Sequence, residues 1–155
     1  MAPRQHMRKM KVGKVTFTEA YKAVNEYRQK FPQKAVTFYA QNYPAMGWAV
    51  FMAGGSCPVI PCTDKAFLKD AAAMEVEETD TDNYKKMVKS DIGSIIYSKS
   101  GTEIPVQLSS GKYILKYIHP SSGKMSVIDK SLKINGVYKL KVPDKKEGIY
   151  WFHKL

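Results

Sequence analysis

Arginine is scarce in this sequence. Arg4, Arg8 and Arg28 are the only arginines among 25 basic side chains. Nucleic-acid sites recruit arginine for its bidentate fork on phosphate and guanine, so nucleic acid is not the expected partner. Cysteine is scarcer still: Cys57 and Cys62 close the stretch Cys-Pro-Val-Ile-Pro-Cys. A zinc site wants more ligands at short spacing, and His6, His119 and His153 are scattered, so neither metal nor cofactor is expected. A disulfide between the two cysteines would need their Cα atoms within about 7 Å. Two free, half-buried thiols are the simpler reading. No segment has the length and apolarity of a membrane span, which removes a membrane from the expected partners. The basic N-terminus is not followed by the apolar core of a signal peptide.

Catalytic motifs are missing too. Gly54-Gly55-Ser56 lacks the lysine and the spacing of a phosphate-binding loop. The acidic run from Glu75 to Asp82 does not alternate as a calcium loop does. There is no nucleophile elbow and no His-Glu-x-x-His. A glycosidase needs two carboxylates on opposite sides of a bond, and the acids here cluster or sit beside turns. No catalytic residue is assigned.

What is present begins with charge. The net charge is +11 over 155 residues. Residues 1–40 carry nine basic and two acidic side chains, residues 64–91 five and eight, and residues 92–155 eleven and four. The basic excess is thus split between the two ends. Nonspecific polyanion binding is one reading; a solvated lysine surface is the simpler one.

Residues 1–15 are polar and aperiodic and read as a frayed end. Thr16 and Glu19 then fit a capping box. Ala20, Tyr21, Val24, Tyr27 and Phe31 recur at helical spacing, giving a helix over 17–30 that Pro32 ends. Residues 35–40 read as a buried strand and 41–44 as a turn. Residues 45–53 are apolar throughout and read as a buried helix beginning near Pro44 and stopped at Gly54-Gly55. A short helix over 67–74 and a solvated acidic linker over 75–82 follow.

From residue 92 the period changes to two. Strands are expected over 92–97, 102–108, 112–119, 124–129, 137–142 and 149–153. Turns are expected at 98–101, 109–111, 120–123, Asn135-Gly136 and 143–148. Connections this short exclude parallel crossovers. Lys112, Lys116, Lys139 and Lys141 mark a solvated face or guard an edge. The fold class is therefore α+β: a helical segment over 1–83, linker included, then an antiparallel β-sandwich-like domain over 84–155.

Three stretches carry a resemblance. Trp48-Ala-Val-Phe-Met-Ala-Gly-Gly55 is similar to the tryptophan-containing, glycine-ended helix late in the barrel of apiosidase-like glycoside hydrolases. Tyr117-Ile-His-Pro-Ser-Ser-Gly123 resembles an aromatic-x-x-Pro-x-x-Gly turn in the β-domain that follows that barrel, a domain named after the collagen-binding part of a collagenase. Val142-Pro143 with Ile149-Tyr-Trp-Phe152 resembles that domain's closing strand. His119 departs from the acidic residue expected before the proline. The resemblance covers residues 35–155. It implies a C-terminal, non-catalytic accessory portion of a glycoside-hydrolase-like protein, with polysaccharide or a catalytic barrel as partner. The family's secreted location does not carry over, since no export signal is visible. Tyr113, Tyr117, Tyr138 and Trp151, with Tyr150, are candidates to stack on sugar rings if they line an exposed face. Otherwise they are core residues packed against a second sheet. The alternative function is a lysine-rich polyanion or nucleic-acid binder.

Overall fold

The computed structural model describes residues 15–38, 44–99, 101, 103–144 and 147–155. Most of the expected frayed end, the 41–43 part of the expected turn, and Tyr39 and Ala40 lie outside them.

Helix α1 (Phe17–Lys30) opens on the capping box. The Thr16 hydroxyl accepts from the Glu19 amide at 3.2 Å, and the Glu19 carboxylate accepts from the Thr16 amide at 2.8 Å. Phe17, Ala20, Tyr21 and Val24 are its buried stripe, the i, i+3, i+4, i+7 spacing of one helix face. Helix α2 (Pro44–Met52) has no such stripe because it is enclosed; Trp48, Ala49 and Met52 have no accessible surface. It stops where Gly54 turns left-handed, with φ +69°, a conformation that costs glycine little. Helix α3 (Lys65–Ala73) begins on Asp64, whose carboxylate accepts from the Phe67 amide at 2.9 Å. Among the described residues no helix is long and apolar enough to cross a membrane.

Six antiparallel strands follow: β1 (Glu75–Glu77), β2 (Tyr84–Lys89), β3 (Gly93–Ser98), β4 (Glu103–Ile118), β5 (Met125–Lys141) and β6 (Gly148–Lys154). They form one sheet in the order β1-β2-β3-β6-β4-β5. The fold class is α+β. The two-layered, sandwich-like character comes from this single sheet bending over itself.

The bend explains two expectations that the structure corrects. The Ser109–Gly111 and Asn135-Gly136 signals are not chain reversals. They lie opposite each other inside β4 and β5, where Leu108 pairs with Gly136 and Gly111 with Ile134. Two residues on β4 oppose one on β5, which is a bulge. Gly136 takes φ +90° there. Four expected strands are thus two long bent ones. The bend brings the Ser109 amide to the Ser90 carbonyl at 3.0 Å.

The central strands β3 and β6 are buried on both faces, whereas β5 is largely exposed. Ile95, Tyr97, Ile149 and Trp151 face the helices. Ile96, Tyr150 and Phe152 alternate with them and face Ile104, Val106 and Leu108 on the folded-over ribbon. A strand buried on both faces reads as a continuous apolar run, as Ile149–Phe152 does.

Two further corrections concern the first half. Residues 35–38 form no strand; Val36 accepts one backbone bond from Ser56 at 2.7 Å and has no partner strand. The acidic stretch read as a linker supplies β1, paired with β2 from Glu75↔Val88 to Glu77↔Lys86. The charges hid it, because the lysine of β2 that neutralises Glu77 is itself buried.

Candidate ligand-binding groove

Helix α1, the loop after α2, helix α3 and edge strand β1 surround a cavity of about 650 Å³. That size suits a small organic ligand, since such sites span roughly 300–1,000 Å³. Phe51, Ile60, Leu68 and Met74 give it apolar walls. Polar side chains converge from both sides: Asn25, Arg28 and Gln29 from α1, and Glu75 and Glu78 from β1 and the residue beyond it. The three α1 residues sit at i, i+3 and i+4, the spacing that puts side chains on one helix face. On that side Gly54 presents no side chain, while the bare Cα of Gly55 lets the loop pack on Val50 and Val24. A Cβ on Gly54 would come within 3.9 Å of Arg28 Nε, so the arginine lies along the bare backbone.

Most charges nearby are already engaged. Gln29 Nε2 donates to Glu78 Oε1 at 2.5 Å. Glu77 pairs with Lys86. Asp82 pairs with Lys22 at 3.4 Å and Lys85 at 3.5 Å. Lys85 is itself buried; it also donates to the Thr81 carbonyl at 2.8 Å and lies over the Tyr21 ring at 4.8 Å. Arg28 is half-buried and makes no ion pair or side-chain hydrogen bond among the described residues.

A second polar cluster sits away from the groove. Asp70, on α3, is only 8% exposed. Its Oδ2 accepts from Trp151 Nε1 at 3.0 Å and pairs with His153 Nδ1 at 2.7 Å. The Lys116 ammonium lies 4.2 Å from the Trp151 ring centroid. Among the described residues no nucleophilic side chain bonds to His153, and the arrangement ties α3 to β6. Among the described residues no group of three or more His, Cys, Asp or Glu could hold a metal ion.

The stacking candidates fall in the core. Tyr113 and Trp151 have no accessible surface, Tyr117 has 9% and Tyr150 1%. Tyr113 Oη donates to the Ser109 carbonyl at 2.8 Å. Tyr138 is half-buried and meets Phe152 edge-on at 5.7 Å. Stacking on a sugar requires an open ring face, and the first four do not offer one because both faces of the sheet are covered around them. Both cysteines are free; Cys57 is exposed, and burial raises the pKa of the Cys62 thiol. Lys112, Lys139 and Lys141 are exposed.

Sequence reasoning missed Asn25, Arg28, Gln29 and Asp70. The one available signal was Arg28 itself, a charge four residues after Val24 and seven after Tyr21, on the same face as the apolar stripe of α1.

Comparison with known proteins gives three results. The domain of unknown function DUF6298 matches residues 1–74, the part that carries the three helices. No curated protein matches. A solved structure described as a glycoside hydrolase aligns over 54% of this chain and 20% of its own, at 15% identity and a TM-score of 0.39. The chain therefore spans about a fifth of that protein's length.

Proposed function

We propose that this chain is a non-catalytic accessory portion of a glycoside-hydrolase-related protein, of the apiosidase-like kind, and that it binds polysaccharide in the groove between α1, α3 and β1. The observation that carries the reading is the convergence of Asn25, Arg28, Gln29, Glu75 and Glu78 on an apolar-walled cavity. Amide, guanidinium and carboxylate groups are planar and can each bond two neighbouring hydroxyls, which suits a ligand that is dense in hydroxyls and has apolar ring faces. The partners in this reading are the polysaccharide and a catalytic barrel.

The test is a glycan-binding screen of the whole chain at low and high salt, repeated with Ala72→Trp. Ala72 is exposed and lines the groove, so the indole fills the cavity without entering the core. Salt-resistant binding that Ala72→Trp abolishes at an unchanged melting temperature supports the reading. Binding that ignores Ala72→Trp removes the groove from it.

A second reading rests on the exposed lysines of β4 and β5. In that case heparin binds in place of neutral glycans and is released as salt rises, since counterion release makes such contacts steeply salt-dependent.

A further inference from the structure

Arg28 is the basic side chain that lines the groove, and among the described residues it makes no ion pair, which narrows the ligand. Around it, Lys22 and Lys85 share Asp82, and Lys86 is matched to Glu77. Arg28 alone is left without an anion among the described residues, half-buried along the Gly54 backbone at the wall of the cavity. A guanidinium presents a rigid planar fork of N–H donors that fits a carboxylate by two parallel hydrogen bonds. Removed from part of its water, it gains more from such a partner than an exposed lysine does.

The acids in the same groove restrict the choice further. Glu78 is occupied on one oxygen by the Gln29 amide, and Glu75 is exposed at the rim. Ionised carboxylates only accept hydrogen bonds. They repel a ligand with charge on every side and attract one that offers hydroxyl donors. A single carboxylate at Arg28, with hydroxyls directed toward Glu75 and Glu78, satisfies both sides.

We propose that the groove takes an acidic saccharide, a sugar bearing a ring carboxylate such as a uronic acid, with Arg28 holding the carboxylate and Glu75 and Glu78 accepting from its hydroxyls. The inference rests on the reading of the groove as a glycan site and names the class of glycan.

The experiment is calorimetric titration of the whole chain with a galactose trisaccharide that ends in one galacturonic acid, with its methyl ester, and with the neutral galactose trimer. Each is repeated on Arg28→Gln, Arg28→Lys and Ala72→Trp. The acid is expected to bind at least about tenfold more tightly than its ester, the scale of a charge-assisted fork. Arg28→Gln should erase that preference, and Arg28→Lys should keep part of it. Equal affinity for acid and ester overturns the inference, as does an Arg28→Gln protein that still prefers the acid. If the neutral trimer binds as well as the acid and Ala72→Trp blocks both, the acidic-ligand inference fails and the accessory glycan site stands. If none of the three saccharides nor any glycan in the screen binds, both fall. Should Arg28→Gln fail to fold, the acid-to-ester ratio on the unaltered chain decides.

Discussion

The Trp151 indole N–H donates to Asp70 Oδ2 at 3.0 Å across 81 positions of chain. This one bond fastens α3 to the most central apolar strand. Trp151 also meets Phe67 of α3 edge-on at 5.4 Å, and through Phe67 the contact reaches Phe51 and Trp48 of α2. Removing the indole should therefore loosen helices and sheet together. Trp151→Ala is expected to cost about 3–5 kcal/mol, the usual range for a large aromatic deleted from a core. Asp70→Ala, which strands the indole N–H in the core, should cost about 1–3 kcal/mol. Denaturant unfolding measures both; an unchanged midpoint for Trp151→Ala would contradict the packing.

Tyr150 should behave in the opposite way. Its hydroxyl is buried and has no hydrogen-bond partner among the described residues, although the ring packs edge-on against Tyr117 at 5.6 Å. A buried hydroxyl without a partner costs free energy. Tyr150→Phe keeps the ring and removes the cost, so it should be neutral or stabilising by up to about 1 kcal/mol. A clear loss of stability in thermal unfolding would mean that the hydroxyl is bonded.

Alkaline pH should unfold the protein through its tyrosines. Burial, reinforced by Glu78, pushes the Tyr21 pKa up to about 12. Burial, with Tyr117 adding, does the same to Tyr150. Burial also raises the pKa of Tyr97, helped by its hydrogen bond to Glu147. In the unfolded chain these phenols ionise near their ordinary value of 10. The unfolded state thus releases protons first. Their contribution to stability is complete below about pH 10 and is lost as pH rises toward 12. Phenolate absorbance and circular dichroism, followed together, should show that the late-ionising tyrosines titrate with the loss of structure. Ionisation of every tyrosine near pH 10 with the fold intact would refute this.

Limited proteolysis should cut first between β1 and β2. The boundary expected from the sequence, after residue 83, falls in this turn, which joins two paired strands of one sheet. Asp80 and Asp82 are exposed, and the turn is held mainly by side-chain bonds from Lys85 and Thr79. A first cut inside β4 or β5 would move the boundary.

The helices were largely legible in the sequence because their signals are local. Thr16, Glu19 and the Phe17–Val24 spacing are enough to define α1, and an unbroken apolar run defines α2. Asp64 was overlooked as a cap. The sheet was only half legible. Serine, asparagine and glycine mark any place where the backbone leaves the flat pleat, and here they mark a bend in paired strands as well as turns. Strand β2 was hidden because Lys85 and Lys86 are buried; Asp82 in the adjoining turn neutralises Lys85, and Glu77 on the neighbouring strand neutralises Lys86. The groove was illegible for a related reason: Arg28, Gly54, Ala72 and Glu78 meet only after helices and sheet have docked.

Strand β6 is the last of the strands along the chain, yet it lies between β3 and β4. During synthesis β1–β3 and the β4–β5 ribbon can each form early, but they share no long edge until β6 is inserted between them. Their facing edges stay open until Gly148–Lys154 has been made, an interval in which non-native pairing with neighbouring chains is most damaging. Folding should be slow for the chain's size, because its closing step joins residues far apart in sequence. Gly148–Lys154 acts as a keystone: without it the sheet would fall into two separate half-sheets.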